Sequence, residues 1–488
     1  MFAFLYNLLI SLSVVFARIV ALIHPKTRKW VAGQRNWQST VRSLQSMVLG
    51  SELSIGHPES KVKSHESEHA AQTNIKYHTS YIKPLTFWFH AASLGEFEQG
   101  RPVIEAVRLA YPNARIVLTF FSPSGYEIKK DYAQVDVVCY LPADTAANVN
   151  HFLDAVQPDI ALFIKYEFWY NYLHELKKRE IKTLLFSAIF RPNQLFFKWY
   201  GGFYRKMIFC FDTILVQNQT SAALLNTIGY YHAVLAGDTR LDRVVQIATQ
   251  ANVFPEIVYF KGESPLLVVG SAWPDDMSIL IPFLNNFHQP IKIIIAPHEI
   301  NTAQIEQWQK QLTVYSSRFT DYLEREEKER PTHSNPTGET VETQNARLIP
   351  PLDGMTKSQD AEPEILFLNT IGMLSSIYRY ADFAYIGGAF GDGLHNILEP
   401  AAFGMPIFFG KPYFQKFQEA HDLLQLGGAI SVGSVEELTN SFEEVYENLS
   451  LRKEKATICR DYVQSNRRAT EKVMEVIESG VIHLKNRV

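Results

Sequence analysis

Cysteine is scarce. Cys139, Cys210 and Cys459 are the three in 488 residues, and no pair has CxxC or zinc-site spacing. An odd, dispersed set supports neither a disulfide framework nor a structural metal, and it points to a reducing compartment. Charge of one sign is lacking too. Lys and Arg total 47 against 51 Asp and Glu, a formal net charge of −4. That balance gives no global attraction to nucleic acid. No GxGxxG is present, so no dinucleotide fingerprint is available. Beyond Ile23 no apolar run reaches the roughly 18 residues that span a bilayer, so the remainder reads as a soluble body. Apolar residues at 46% and charged residues at 20% exclude a disordered, collagenous or coiled-coil chain. At about 150 residues per domain, the length predicts about three units or two large ones.

The N-terminus is the apolar exception. Phe2 to Ala17 is interrupted only by Asn7, Ser11 and Ser13; Arg18 follows, then Ile19 to Ile23, then His24, Lys26, Arg28 and Lys29. A cleaved signal peptide carries its positive charge before the apolar run, and here the charge comes after it. Residues 1–30 therefore read as an uncleaved membrane anchor, spanning or lying in the interface, with the body on the cytoplasmic side. A helix packed on the body is the competing reading.

From Leu85 onward, short β-rich runs alternate with helical stretches. The first series is Leu85–Phe89, Ile116–Phe120, Val135–Cys139, Ile160–Ile164, Thr183–Phe186 and Thr213–Val216. The second is Leu266–Val269, Lys292–Ala296, Ile365–Phe367, Phe383–Ile386, Pro406–Phe409 and Ala429–Val432. Such alternation implies parallel sheets with right-handed crossovers. We expect two Rossmann-like α/β domains, 31–240 and 241–488, facing a cleft built by the loops after the strands. The first carries a polar insertion at 50–81. The second carries a charged, proline-rich insertion at 316–363, which includes the run Arg325 to Arg330.

Three constellations could carry chemistry. His90-Ala91-Ala92-Ser93-Leu94-Gly95-Glu96 joins a strand to a helix, and a carboxylate in a first helical turn is favoured by the helix dipole. Glu96 fits a catalytic role there, and an ordinary helix-start acid, which is common, is the other reading. Glu167, among aromatics just past Ile164, also sits at a strand's carboxyl end, or is a solvated acid beside a core tryptophan. The densest signal runs from Gly387-Gly388 through His395-Asn396-Ile397-Leu398-Glu399. Glycines before a helix make a nest for phosphate, and an acid such as Glu399 can bind ribose hydroxyls. Thr370-Ile371-Gly372 and Pro297-His298 are two further small loops after strands. Together the three loops suggest a nucleotide-linked donor site.

These residues resemble the bacterial 3-deoxy-D-manno-octulosonic acid (Kdo) transferases. The resemblance covers Leu85 to about Val432 and the basic, apolar N-terminus. The family's HAxSxGE pattern matches His90 to Glu96, and its ExELWPN pattern is met by Glu167, Trp169 and Asn171. Its G-N-x-K-x-D element appears as Gly237 to Asp242, with Arg240 for the usual Lys. Its GGHNxLEPA pattern is met by His395, Asn396 and Leu398 to Ala401, behind Gly387-Gly388. Lys165 and Tyr166 depart from the acid and Thr before Glu167, and Ser271-Ala272-Trp273 fits its element only partly. The resemblance implies a GT-B glycosyltransferase that moves Kdo from CMP-Kdo to a lipid A precursor with inversion, in lipopolysaccharide biosynthesis. It implies no metal and no cofactor, and a place at the cytoplasmic face of the inner membrane. It makes Glu96 the general base, Glu167 a transition-state group and Arg240 the cation near the leaving phosphate. Ser271, Pro297, His298, Ile371, Gly372, Met373, Gly388, His395, Asn396, Ile397, Leu398 and Glu399 would hold CMP-Kdo. The alternatives are a nucleotide-sugar epimerase of the same fold and a non-enzymatic, membrane-tethered sugar-nucleotide binding protein.

Overall fold

A computed structural model describes residues 2–53, 84–322, 364–391 and 393–485. Most of the two expected insertions lies outside these residues. The chain divides into two compact units, Met1–Asp242 with Arg468–Val488, and Arg243–Arg467.

The first unit holds a parallel seven-stranded sheet of order β3-β2-β1-β4-β5-β6-β7. Its strands are β1 (Thr86–Ala91), β2 (Arg115–Phe120), β3 (Val137–Tyr140), β4 (Ile160–Ile164), β5 (Lys182–Ala188), β6 (Thr213–Val216) and β7 (Ala233–Leu235). Side-chain alternation splits the apolar runs between two cores. Phe87 and Phe89 pack on one face with Ile116, Leu118, Ile160 and Leu162. Trp88 packs on the other with Val117, Ala161 and Phe163. Both faces are covered, so the strands read as continuous apolar runs rather than alternating ones.

The last helix, Ala469–Lys485, belongs to this first unit. Val473, Ile477 and Val481 recur at four-residue spacing, and they complete the core that contains Phe87 and Phe89. The expected bounds 241–488 place these residues in the second domain, whereas they belong to the first. Local periodicity shows that a helix has an apolar face but not which sheet will cover it.

The second unit repeats the plan with order β10-β11-β9-β8-β12-β13-β14. These strands are β8 (Leu266–Ala272), β9 (Lys292–Pro297), β10 (Tyr315–Arg318), β11 (Glu364–Phe367), β12 (Phe383–Ile386), β13 (Ile407–Gly410) and β14 (Ala429–Val432). Strand β10, with sequence Tyr-Ser-Ser-Arg, pairs with β11 at the sheet edge. Residues 316–318, expected to open a solvated insertion, are thus part of the sheet.

At the N-terminus, α1 (Phe2–Val20) and α2 (Pro25–Leu53) precede the sheet. Residues 50–53, expected to be polar linker, continue α2. One side of α1 docks on the unit. The Tyr6 hydroxyl donates to Asp144 Oδ2 at 2.6 Å, and Asn171 Nδ2 donates to Asn7 Oδ1 at 2.8 Å. The other side exposes Phe4, Leu8, Leu12, Phe16 and Ile19. Arg28 donates to the carbonyls of Ala21 and Leu22, a cation at the carboxyl end of α1 where the helix dipole favours it.

Asp144 is the clasp for α1. Besides Tyr6, it accepts from the backbone amides of Asn171 and Tyr172, each at 3.0 Å. Asp144→Ala leaves buried donors unpaired, and we expect a loss of about 2–4 kcal/mol with faster proteolysis between α1 and α2. Thermal melts and timed digestion check this, and unchanged values for both would refute the role.

Candidate active site

Strand order reverses between β1 and β4 in the first sheet and between β8 and β12 in the second. Loops leaving adjacent strands in opposite directions open a crevice at that point, outside the carboxyl ends. The expected site residues Glu96 and Glu167 follow β1 and β4. Ser271 and Gly388 through Glu399 belong to β8 and the segment after β12. At both places a non-glycine residue takes a left-handed backbone, Lys165 at φ 71° and Ser271 at φ 55°. Such strain costs about 1–3 kcal/mol and clusters where backbone must be aimed.

In the first unit His90 lies within β1 rather than after it, and is wholly buried. Its Nε2 is 3.0 Å from Glu167 Oε2, and the Trp169 indole donates to the same oxygen at 2.7 Å. On the other side, His90 Nδ1 is 2.9 Å from Thr119 Oγ1, which accepts from the Trp88 indole. A carboxylate only accepts, so His90 Nε2–H donates to Glu167. A carboxylate that is 7% exposed is thus held by two donors.

Glu96 sits in the first turn of the helix Leu94–Ala110, half-buried, and its Oε2 accepts from the Ala92 amide at 2.6 Å. Burial, then the nearby Glu167 charge, push its carboxyl up to about 7; the Ala92 amide, His90 and Lys165 pull the other way. Two adjacent acids with unequal support are a common basis for acid–base assignment. The Tyr166 phenol is raised by burial, against the opposing pull of Arg191 and Arg240. Tyr166 therefore lies within electrostatic reach of both arginines. Arg191 was not singled out from the sequence, because no spacing relates it to the other residues.

In the second unit the Trp273 indole stacks on His298 at 4.1 Å and donates to His395 Nε2 at 2.8 Å. Burial, then His298, lower His395 to about 4, so at neutral pH it is the uncharged acceptor that this bond requires. Asp276, fully buried, accepts from the amides of Trp273 and Gly388 and from the Tyr385 hydroxyl. It ties the loop after β8 to the loop after β12. Gly388 has φ 94°, and a Cβ on Gly387 would lie 2.4 Å from the Ser271 carbonyl, so this approach requires glycine. Asp276 was not foreseen, although an acid in the first helical turn after a strand is the same signal as Glu96.

A family model described as 3-deoxy-D-manno-octulosonic-acid transferase matches residues 59–243. A 3-deoxy-D-manno-octulosonic acid transferase of Rickettsia typhi is 23% identical over 458 residues, covering 89% of this chain and 90% of that protein. Its namesake from Haemophilus influenzae is 23% identical, covering 81% and 87%. The chain is similar to Kdo transferases along most of its length. Among solved structures, UDP-GlcNAc 2-epimerase from Neisseria meningitidis aligns with TM-score 0.55 at 11% identity, over 81% of this chain and all of that one. MurG from Acinetobacter baumannii aligns with TM-score 0.52 at 12% identity, over 81% and 100%. At such identities the likeness establishes the two-domain, parallel-sheet fold of GT-B type and nothing about substrate.

The remaining residues singled out by the Kdo transferase resemblance fall into different settings. Arg240 points its guanidinium at Asp238, with Nε and Nη2 at 2.8 and 2.6 Å from Oδ2. Ile397 and Leu398 are core side chains, so only their backbone could meet a ligand. Asn396 accepts from the Leu398 amide and donates to Glu399 Oε1. The helix that follows, Leu398–Phe403, has six residues. Ile371 is 91% exposed beside Gly372, whose φ is 88°. Met373 accepts at sulfur from Thr370 Oγ1, and Pro297 is half-buried at the end of β9.

The geometry makes a pH prediction. A base works ionised, so turnover should rise with pH through about 7, the Glu96 value. The Glu167 charge raises that value, so Glu167→Gln should move the rising limb to lower pH. A pH–rate profile of both proteins checks this, and an unmoved or upward-moved limb would exclude coupling of the two acids.

Proposed function

We propose that the chain transfers Kdo from CMP-Kdo to a lipid A precursor, inverting the anomeric centre. The observation that carries this reading is Glu96, a carboxyl poised near neutrality at the first sheet's switch point, beside a second carboxylate held by an indole and an imidazole. Glu96 takes the proton of an acceptor hydroxyl as its oxygen bonds to the anomeric carbon. The bond from that carbon to the phosphate oxygen breaks, and CMP leaves with the electron pair. Glu167, held in place by Trp169 and His90, stabilises the positive charge that develops on the sugar. Arg240, the cation that the motif resemblance implies, meets the charge on the departing phosphate. The Trp273 and His298 rings and the Asn396–Glu399 pair hold the nucleotide. The relatives' names and the family model over 59–243 support the sugar, and the donor and acceptor follow from the motif resemblance.

The direct test supplies CMP-Kdo and lipid A precursor and weighs the product, which also counts the sugars added. In that assay Glu96→Gln should lower the chemical rate by roughly 10²–10⁴-fold while CMP affinity stays within about twofold. Near-normal turnover of the folded variant would remove Glu96 from the mechanism.

We further propose that the enzyme works at the cytoplasmic face of the inner membrane. A helix docked along one side offers lipid only its other side, so α1 lies in the interface rather than crossing it. Lys26, Arg28 and Lys29 follow as a cationic edge for anionic headgroups. Leu8→Glu with Phe16→Glu changes only the exposed side. The double variant should lose flotation with anionic vesicles by tenfold or more, and undiminished flotation would place the membrane contact elsewhere.

A further inference from the structure

A cavity of about 380 Å³ lies within the first unit. Val14 and Ala17 of α1, Trp30 of α2, Phe121 after β2 and Trp169 after β4 contribute to its wall, with the exposed Lys26 beside them. The volume falls in the range of small-ligand sites, and the wall is mostly apolar. The rings form a continuous surface, Trp30 to Phe121 at 5.7 Å and Phe121 to Trp169 at 5.0 Å between centroids.

Its position is specific. Trp169 presents its ring to the cavity and donates its N–H to Glu167. The neighbouring wall residue Ser122 donates its amide to the Ala92 carbonyl, and the Ala92 amide donates to Glu96. The cavity is thus one indole thick from Glu167 and two backbone hydrogen bonds from Glu96. On its far side, α1 turns Val14 and Ala17 inward while Leu12 and Phe16 face outward. The cavity therefore lies between the helix face offered to lipid and the carboxylates offered to a sugar hydroxyl.

We propose that this cavity is an acceptor subsite that takes one acyl chain of the glycolipid while its sugar hydroxyl sits at Glu96. The inference rests on the transferase reading above and adds where the lipid part goes. A glycolipid whose head reacts at Glu96 must leave the bilayer far enough to reach it. Its first methylenes are then exposed to water unless an apolar surface covers them, and this cavity is that surface. Lys26 supplies a cation on the same side for a phosphorylated head.

The test uses the full chain in detergent micelles with two acceptors, the acylated precursor and the same phosphorylated disaccharide stripped of its chains. Ala17→Trp fills the cavity from α1. The ratio of KM values, acylated over deacylated, should rise by tenfold or more. An unchanged ratio would overturn the proposal. A second measurement needs neither mutation nor turnover. Acceptor carrying a photoreactive group on its acyl chain should label wild-type peptides containing Phe121 or Trp169. Labelling confined to the outer side of α1, or equal labelling of the cavity by a photoreactive phospholipid, would also overturn the proposal. If the wild type glycosylates neither acceptor, the transferase reading fails, while the labelling result still decides whether the cavity holds an acyl chain.

Discussion

A parallel sheet sends all its strands out of one edge, and a reversal of strand order lets two neighbouring loops part company there. The candidate site residues of both units depend on that constraint being met twice. In the first unit it falls between β1 and β4, the strands that deliver His90 with Glu96 and then Glu167. In the second it falls between β8 and β12, which deliver Ser271 with Trp273 and then Gly388 with His395. Residues about 70 apart in the first case, and over 110 apart in the second, become neighbours because their strands do. The sheets form because their strands bury apolar side chains on both faces, and polar groups gather at the ends where the helices start.

Each switch point buries an acid, and each meets the desolvation cost differently. Glu167 has an indole and an imidazole, and the imidazole is fixed in turn by Thr119 and Trp88. Asp276 has two backbone amides and a phenol. Glu96 has one amide, and burial pushes its proton affinity up. The acid with fewest donors is the one left free to exchange a proton near neutrality. Removing an acid such as Asp276 would also release a loop, because its carboxylate holds two strands' ends together.

Much of this was legible. Strands β4, β6, β12 and β14 have the bounds expected of continuous apolar runs between turn residues. Glu96 and Glu167 stood out by type and place. What failed to show has a physical reason in each case. Strand β7 is three residues long and partly exposed, and β10 is a polar edge strand whose only signal is its neighbour β11. The Trp273–His298–His395 stack joins three separate loops, which no spacing encodes. Asn7 appeared as a blemish in an apolar run. In the folded chain it belongs, with Tyr6, to the side of α1 that docks on the domain.

The return of the helix Ala469–Lys485 to the first sheet has a consequence for how the molecule is made. Asp242, where the chain leaves the first unit, accepts from the amides of Arg468 and Thr470, where it comes back. The second unit is therefore an insertion in a domain whose core is closed by Val473, Ile477 and Val481. During synthesis the second unit can finish folding while the first still lacks one layer over Phe87 and Phe89. The half bearing Glu96 thus emerges early and matures late, and its apolar underside awaits residues more than 220 positions downstream of Asp242.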